Sequence, residues 1–141
     1  MTLFVLDNSV CARWLFGDGD VKDITYARAV LDRMASGDAG AIVPGIWGLE
    51  LANVMARGEA KGLLTADRIQ DFLRIIRHMD IREDPNGILH SLHQILPLAR
   101  KYSLSAYDSA YLELAIRLGS PLATLDHDLR KTLTKVGVTL F

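Results

Sequence analysis

The sequence predicts an α/β fold with a mainly parallel central sheet, and two observations lead there. Short apolar segments rich in strand-forming residues alternate along the chain with longer amphipathic segments of helical period. The strand segments are apolar at consecutive positions rather than at every second one, which is the pattern of strands covered by helices on both faces. There is no internal repeat, low-complexity tract or linker, so residues 1–141 read as one domain.

Phe4-Val5-Leu6 reads as the first strand, and Asp7-Asn8-Ser9 behind it are helix-capping residues, giving strand, turn and helix. Over residues 23–36, Ala27, Val30, Leu31 and Met34 share a helical face, with Gly37 as the stop. Ala41-Ile42-Val43 is a second buried strand. After Pro44-Gly45, residues 46–61 put Trp47, Leu51, Val54 and Met55 on one helical face, with Glu50 and Asn53 beside it and Gly62 at the end. Thr65-Ala66-Asp67 opens a helix through Ile69, Phe72, Leu73 and Ile76, and a short strand over residues 79–82 precedes Asp84-Pro85. Two helices, over residues 88–102 and 106–118, flank Ser103-Leu104-Ser105. Pro97 is expected to bend or interrupt the first, and Gly119 ends the second. A strand over residues 121–125, a helix over 126–135 and a terminal strand over 138–140 complete the chain.

Sixteen basic residues against 17 acidic ones give a formal net charge of -1, so no basic excess marks a nucleic-acid partner and any RNA binding must be local. The single Cys11 lies in an apolar stretch and reads as a buried, reduced thiol, which fits a cytoplasmic protein. The first residues lack the basic start of a secretory signal, and no apolar run is long enough to cross a bilayer, so neither export nor a membrane is expected.

Four acids stand out. In open α/β sheets, ligands collect outside the carboxyl ends of the strands, where Asp7 and Asp126 each fall between a strand and a helix start. Glu50 and Asp108 each lie early in a helix that begins after a loop, which can bring them to the same rim. Two unit charges about 4 Å apart repel by roughly 4 kcal/mol at an effective dielectric near 20, so a cluster of four carboxylates calls for compensation. A hard divalent cation such as magnesium supplies it, and such an ion holds and polarises a phosphodiester while making bound water a better nucleophile. Each acid also has a purely structural reading. Asp7 and Asp126 fit N-caps, Ser105-Ala106-Tyr107-Asp108 fits the S-x-x-D capping pattern, and Glu50 fits a half-exposed edge position.

Four blocks, in order, resemble the PIN-domain family, and in particular its VapC-type toxins, over essentially the whole chain. Val5-Leu6-Asp7-Asn8-Ser9-Val10 with Trp14 is similar to the opening strand with its first acid. Pro44 through Trp47, Glu50 and Asn53 is similar to the P…E..N block. Leu104-Ser105-Ala106-Tyr107-Asp108 running on to Ala115 resembles the helix of the third acid, and Leu122-Ala123-Thr124-Leu125-Asp126 with Leu129 the T.D..L block of the fourth. The resemblance implies a three-layer α/β/α sandwich and a homodimer that cleaves RNA endonucleolytically with Mg2+, or Mn2+ in its place. Asp7, Glu50, Asp108 and Asp126 would be its catalytic and metal-binding acids, with Ser9, Asn53 and Thr124 as supporting polar groups. It also implies a toxin–antitoxin pair, the VapB-type antitoxin lying in a hydrophobic groove. A departure is Asn8, where a small residue is frequent; Asp128 reads as a second acid near Asp126 or a first-turn acid favoured by the helix dipole.

Other signals are weaker. His90 and His93 share a helical face but have no third ligand at zinc spacing. His127 adjoins Asp126 and reads as a solvated residue. Arg13, Arg57, Lys61, Arg130 and Lys131 are candidates for phosphate contacts or ordinary surface charges. Trp14, Trp47 and Tyr111 read as core rather than base-stacking residues, and Trp47, Leu51, Ile69 and Phe72 as core or as a dimer or antitoxin surface. A haloacid-dehalogenase-type phosphotransferase lacks its second Asp here, and a receiver domain lacks its Asp and Lys in order. The alternative that remains is a catalytically silent PIN-type binding module.

Overall fold

A computed structural model describes residues 1–141. Its elements are β1 (Thr2–Leu6), α1 (Asn8–Phe16), α2 (Val21–Ala35), β2 (Ala39–Val43), α3 (Trp47–Ala60), α4 (Ala66–His78), β3 (Ile81–Glu83), α5 (Ile88–Tyr102), α6 (Ala106–Leu118), β4 (Leu122–Ala123) and α7 (His127–Val136). The four strands form one sheet in the order β3-β2-β1-β4, with every pair parallel. Phe4, Val5 and Leu6 are completely buried and all of β2 is buried, so helices cover both faces of the sheet as the consecutive apolar residues predict.

Where the bounds of α2 and β3 differ from the sequence reading, an exposed residue hid the signal. Helix α2 starts at Val21, capped by Asp20, whose side chain accepts from the Lys22 N–H at 2.8 Å. Its first turn carries no core residue, and Val21 is exposed, so hydrophobic period could not mark it. Strand β3 is shifted to Ile81–Glu83 because its ladder follows Ala41 to Val43 of β2, not the apolar residue Met79. Strand β4 shortens to two residues because the N–H groups of Leu125 and Asp126 donate to the Ser9 and Thr124 hydroxyls instead of to a ladder, and the expected terminal strand is reduced to a single parallel bridge between Leu122 and Leu140. Pro97 does not interrupt α5. Only Ser91 and Ile95 of that helix are buried, so water can reach the carbonyl that a proline leaves without its donor.

Helix α6 is the inner helix. Every residue from Ser109 to Ala115 is buried, and it packs on β1, β4, α5 and α7. Ser105 caps it at the start, and Gly119, at φ 60°, ends it in the left-handed region that glycine adopts without a Cβ clash. At the end of β3, Asp84 forms an ion pair with Arg117 of α6 at 2.5 Å, and Arg117 also pairs with Glu113 at 2.8 Å. Trp47, Leu51 and Phe72 belong to the core, as does the ring of Tyr111, and Ile69 packs against it, so none of them forms a free surface. The exposed apolar residues lie elsewhere, with Leu89, Leu92 and Leu96 at helical spacing along α5. No helix is long and apolar enough to cross a membrane.

Candidate active site

Parallel strands place all their carboxyl ends on one rim, and Asp7 follows β1 there while Thr124 and Asp126 follow the neighbouring β4. Asp7 is buried and occupies the N-cap position of α1, yet its carboxylate makes no capping hydrogen bond to a backbone N–H of that helix. The Ser9 hydroxyl donates to Asp7 Oδ2 at 2.6 Å, and the Thr124 hydroxyl donates to the same oxygen at 2.7 Å. Asp7 thus holds the cap position of α1 without a side-chain capping bond, and the two hydroxyl bonds it accepts both fall on Oδ2. Burial raises the Asp7 carboxyl above its ordinary range, the Ser9 and Thr124 bonds oppose this, and the charge of Asp126 adds to it.

Ser9 and Thr124 also tie the two strand ends together. The Leu125 N–H donates to Ser9 Oγ at 2.9 Å and the Asp126 N–H to Thr124 Oγ1 at 3.0 Å. Arg130 locks the same turn by donating from Nε to the Thr124 carbonyl at 2.7 Å, its guanidinium lying over the Tyr26 ring. It is a brace for the β4 end. Asp126 does cap α7, accepting from the Leu129 N–H at 2.8 Å through Oδ1, and this leaves Oδ2 without a partner. Capping and a site role coexist in this residue, since the helix bond fixes the carboxylate that the rim presents.

Asp108 sits in the first turn of α6. Its N–H donates to the Ser105 hydroxyl at 3.0 Å, but the reciprocal bond of a full capping box, from the Ser105 N–H to the Asp108 carboxylate, is not formed. The half-buried Asp108 carboxyl is pushed up to about 6 by burial and by the charges of Asp126, Asp7 and Glu50. Glu50, early in α3, accepts a 2.6 Å bond from the buried Tyr111 hydroxyl; burial raises its carboxyl and the charge of Asp7 adds to this. The four acids thus feel one another's charge, although they come from four separate segments of the chain.

The supporting residues divide. Ser9 and Thr124 are in the network, whereas Asn53 is exposed and makes no side-chain hydrogen bond, one turn along α3 from Glu50. Asp128 and His127 are exposed at the start of α7, and His90 and His93 are exposed on α5. Arg13 is engaged by Asp18 at 2.6 Å, while Arg57, Lys61 and Lys131 are exposed. Two residues beside the acids escaped the sequence reading as polar groups. Tyr111 was legible as core, and its ring is core, but its hydroxyl reaches Glu50. Asn8, a turn residue by pattern, is buried and donates from Nδ2 to the Trp47 carbonyl at 3.0 Å and to the Tyr111 hydroxyl oxygen at 3.2 Å.

No three His, Cys, Asp or Glu side chains converge closely enough to ligate one ion directly. What the rim offers is an all-carboxylate donor set with an unpartnered oxygen on Asp126 and mutual repulsion raising three of the four acids. Such a set fits a hard cation that keeps much of its water, as magnesium does, and suits a thiolate- or imidazole-seeking metal poorly.

The Asp108 value has a measurable consequence without any metal. Its carboxyl ionises near pH 4 in the unfolded chain and near pH 6 in the fold, so the folded state holds the proton more tightly. Stability of the metal-free protein should accordingly be greatest below about pH 4 with respect to this group and be lost as the pH rises from about 4 to about 6. Asp108→Asn should remove that decline. Urea midpoints across pH 4–7 check it, and identical pH dependence in both proteins would refute the raised Asp108 carboxyl.

A family model described as the PIN domain matches residues 4–133, a span that contains all four acids. Among solved structures the chain is similar to the crystal structure of PAE2754 from Pyrobaculum aerophilum, with a TM-score of 0.64 and 17% sequence identity over 96% of this chain and 90% of that one. That likeness carries the fold. No curated protein sequence matches the chain.

Proposed function

This chain belongs to the PIN domain family, and we propose that it is a divalent-metal-dependent endoribonuclease that hydrolyses RNA phosphodiester bonds through Asp7, Glu50, Asp108 and Asp126. PIN domains are in general metal-dependent nucleases. The observation that carries the reading for this chain is the Asp108 carboxyl, pushed up to about 6 by burial and by the other three acids, which puts the four within electrostatic reach of one another. A fold that keeps unbalanced carboxylates together gains by offering them to a cation.

Magnesium, or manganese in its place, would neutralise the acids when bound, polarise the scissile phosphate and activate the attacking water. Asp7 and Asp126 would hold it, the latter through its unpartnered Oδ2, with Glu50 and Asp108 completing the set directly or through water. Ser9 and Thr124 both donate to one oxygen of Asp7, which fixes the direction of the other. Asn53 is free to meet the RNA strand from the next turn of α3. The net charge of -1 supplies no general attraction for RNA, so the exposed Arg57, Lys61 and Lys131 are the candidates for phosphate contacts.

The finer assignment is a VapC-type toxin. A nuclease of this kind needs restraint by a VapB-type antitoxin, and the exposed Leu89, Leu92 and Leu96 on α5 give a homodimer an apolar stripe to bury. The second reading, a catalytically silent PIN-type module, is favoured by one observation, that no three of the candidate ligands converge for direct coordination. Incubation of purified, antitoxin-free protein with total cellular RNA, in magnesium and in EDTA, separates the two. The nuclease cuts with magnesium and stops in EDTA. No cleavage by folded protein in magnesium would favour the silent module.

A further inference from the structure

We propose that Tyr111 is a positioning residue for Glu50, acting through a hydrogen-bond relay that begins at Asn8. The inference rests on the reading of Glu50 as one of the metal-binding acids and adds to it the group that aims the carboxylate.

The direction of the relay follows from what each atom can donate. The side-chain atom of Asn8 that meets the Trp47 carbonyl at 3.0 Å must be the amide nitrogen, because a carbonyl has no proton to give. That settles the amide orientation, so the 3.2 Å contact from the same nitrogen to the Tyr111 oxygen is a bond that Asn8 donates and the phenol accepts. With that lone pair engaged, the single phenolic proton is left for Glu50 Oε1, and the 2.6 Å separation is the short distance of a hydroxyl donating to a carboxylate. Glu50 is therefore gripped through Oε1 from the core side by the phenol, and the Asn8 amide at the start of the relay bears on the same carboxylate.

The grip is rigid at its base and not at its tip. Tyr111 is completely buried in the middle of α6, and Asn8 is buried at the start of α1, whereas Glu50 is only half-buried. A glutamate has three side-chain torsions and would otherwise sample many directions in a site where Asp7 repels it. One bond from an immobile phenol selects a direction. The Asn8 amide is what holds the phenol oxygen. Its Oδ1 is buried without a partner, a polar cost that a residue placed only to cap α1 would avoid.

The test compares Tyr111→Phe, Glu50→Gln and the double variant by two readouts, Mn2+ affinity from electron paramagnetic resonance in the absence of RNA, and the initial rate of total-RNA cleavage at saturating magnesium. Thermal unfolding runs in parallel. Tyr111→Phe keeps the buried ring and is expected to weaken Mn2+ binding severalfold and cleavage at least about tenfold, with no further loss when added to Glu50→Gln. Equal losses from Tyr111→Phe in the presence and absence of the Glu50 carboxylate would assign it a structural role and overturn the proposal. So would unchanged Mn2+ affinity and cleavage in Tyr111→Phe while Glu50→Gln lowers both, a result that leaves the nuclease reading intact. If Glu50→Gln is itself silent in both readouts, the assignment of Glu50 fails and the relay with it. If no protein cuts RNA but the Mn2+ pattern holds, the relay stands and the nuclease reading fails. Should Tyr111→Phe fold poorly, Asn8→Ala decides, since it frees the phenol without touching its ring and is expected to give a smaller loss in both quantities.

Discussion

Asp7→Asn is expected to lower RNA cleavage at saturating magnesium by at least about a hundredfold, ~2.7 kcal/mol of transition-state stabilisation, without weakening the metal-free fold. The two halves of that expectation come from the same atoms. Asn keeps an oxygen that can accept from Ser9 and Thr124, so the network tying the ends of β1 and β4 survives. What disappears is the charge. Burial holds the Asp7 carboxyl above its ordinary range, so ionised Asp7 is a cost to the fold at neutral pH, and that cost disappears as the pH falls and the carboxyl takes up its proton. The variant should therefore melt at the same temperature as the parent or higher at pH 7 without metal, and lose this advantage toward acidic pH. Magnesium should then raise the melting temperature of the parent more than that of the variant, because a ligand stabilises only the state that binds it. Retained cleavage would remove Asp7 from the chemistry. A collapse of the variant at pH 7 would mean that the acid is structural.

The parts of this site that the sequence discloses are those in which one residue does one local job. Asp7 and Asp126 are visible because each ends an apolar run and begins a helix, and Asp108 because it stands three residues after Ser105. Strand existence was legible from consecutive apolar residues, and the strand order β3-β2-β1-β4 was not, since pairing between segments far apart in the chain leaves no periodic trace. The bounds of α2 and β3 were hidden for the local reason that Val21 and Glu83 are exposed. Polar tips of core residues are hidden most completely. The pattern that marks Tyr111 as core reports its ring, and its hydroxyl bond to Glu50, 61 positions away, has no counterpart in spacing. Capping and a site role, which compete as explanations for Asp126 in the sequence, do not exclude each other in the fold, since the cap uses Oδ1 and leaves Oδ2 without a partner.

The same blindness to long-range charge hid the ion cluster at the end of β3, and its disruption is the largest stability effect to expect. Asp84 is 8% exposed and Glu113 6% exposed, and one guanidinium serves both, at 2.5 Å and 2.8 Å. Both carboxylates hold the Arg117 proton more firmly than usual, which raises its pKa. Arg117→Met fills much of the same volume but leaves two buried acids without a cation, and because the guanidinium itself is exposed the cost falls below the roughly 3–5 kcal/mol of a fully buried pair broken from one side. For a chain of this length the melting temperature should fall on the order of 10 °C at pH 7. The loss should shrink as the pH is lowered, because unpaired buried carboxylates protonate readily and a neutral acid costs less to bury. Adding Asp84→Asn and Glu113→Gln to Arg117→Met should recover a large part of the loss by removing both charges at once. A shift of only a degree or two in Arg117→Met would mean that water already satisfies the two acids, and the bond from the Asn86 N–H to Asp84 at 3.2 Å would then be the only part of the cluster that matters to the fold.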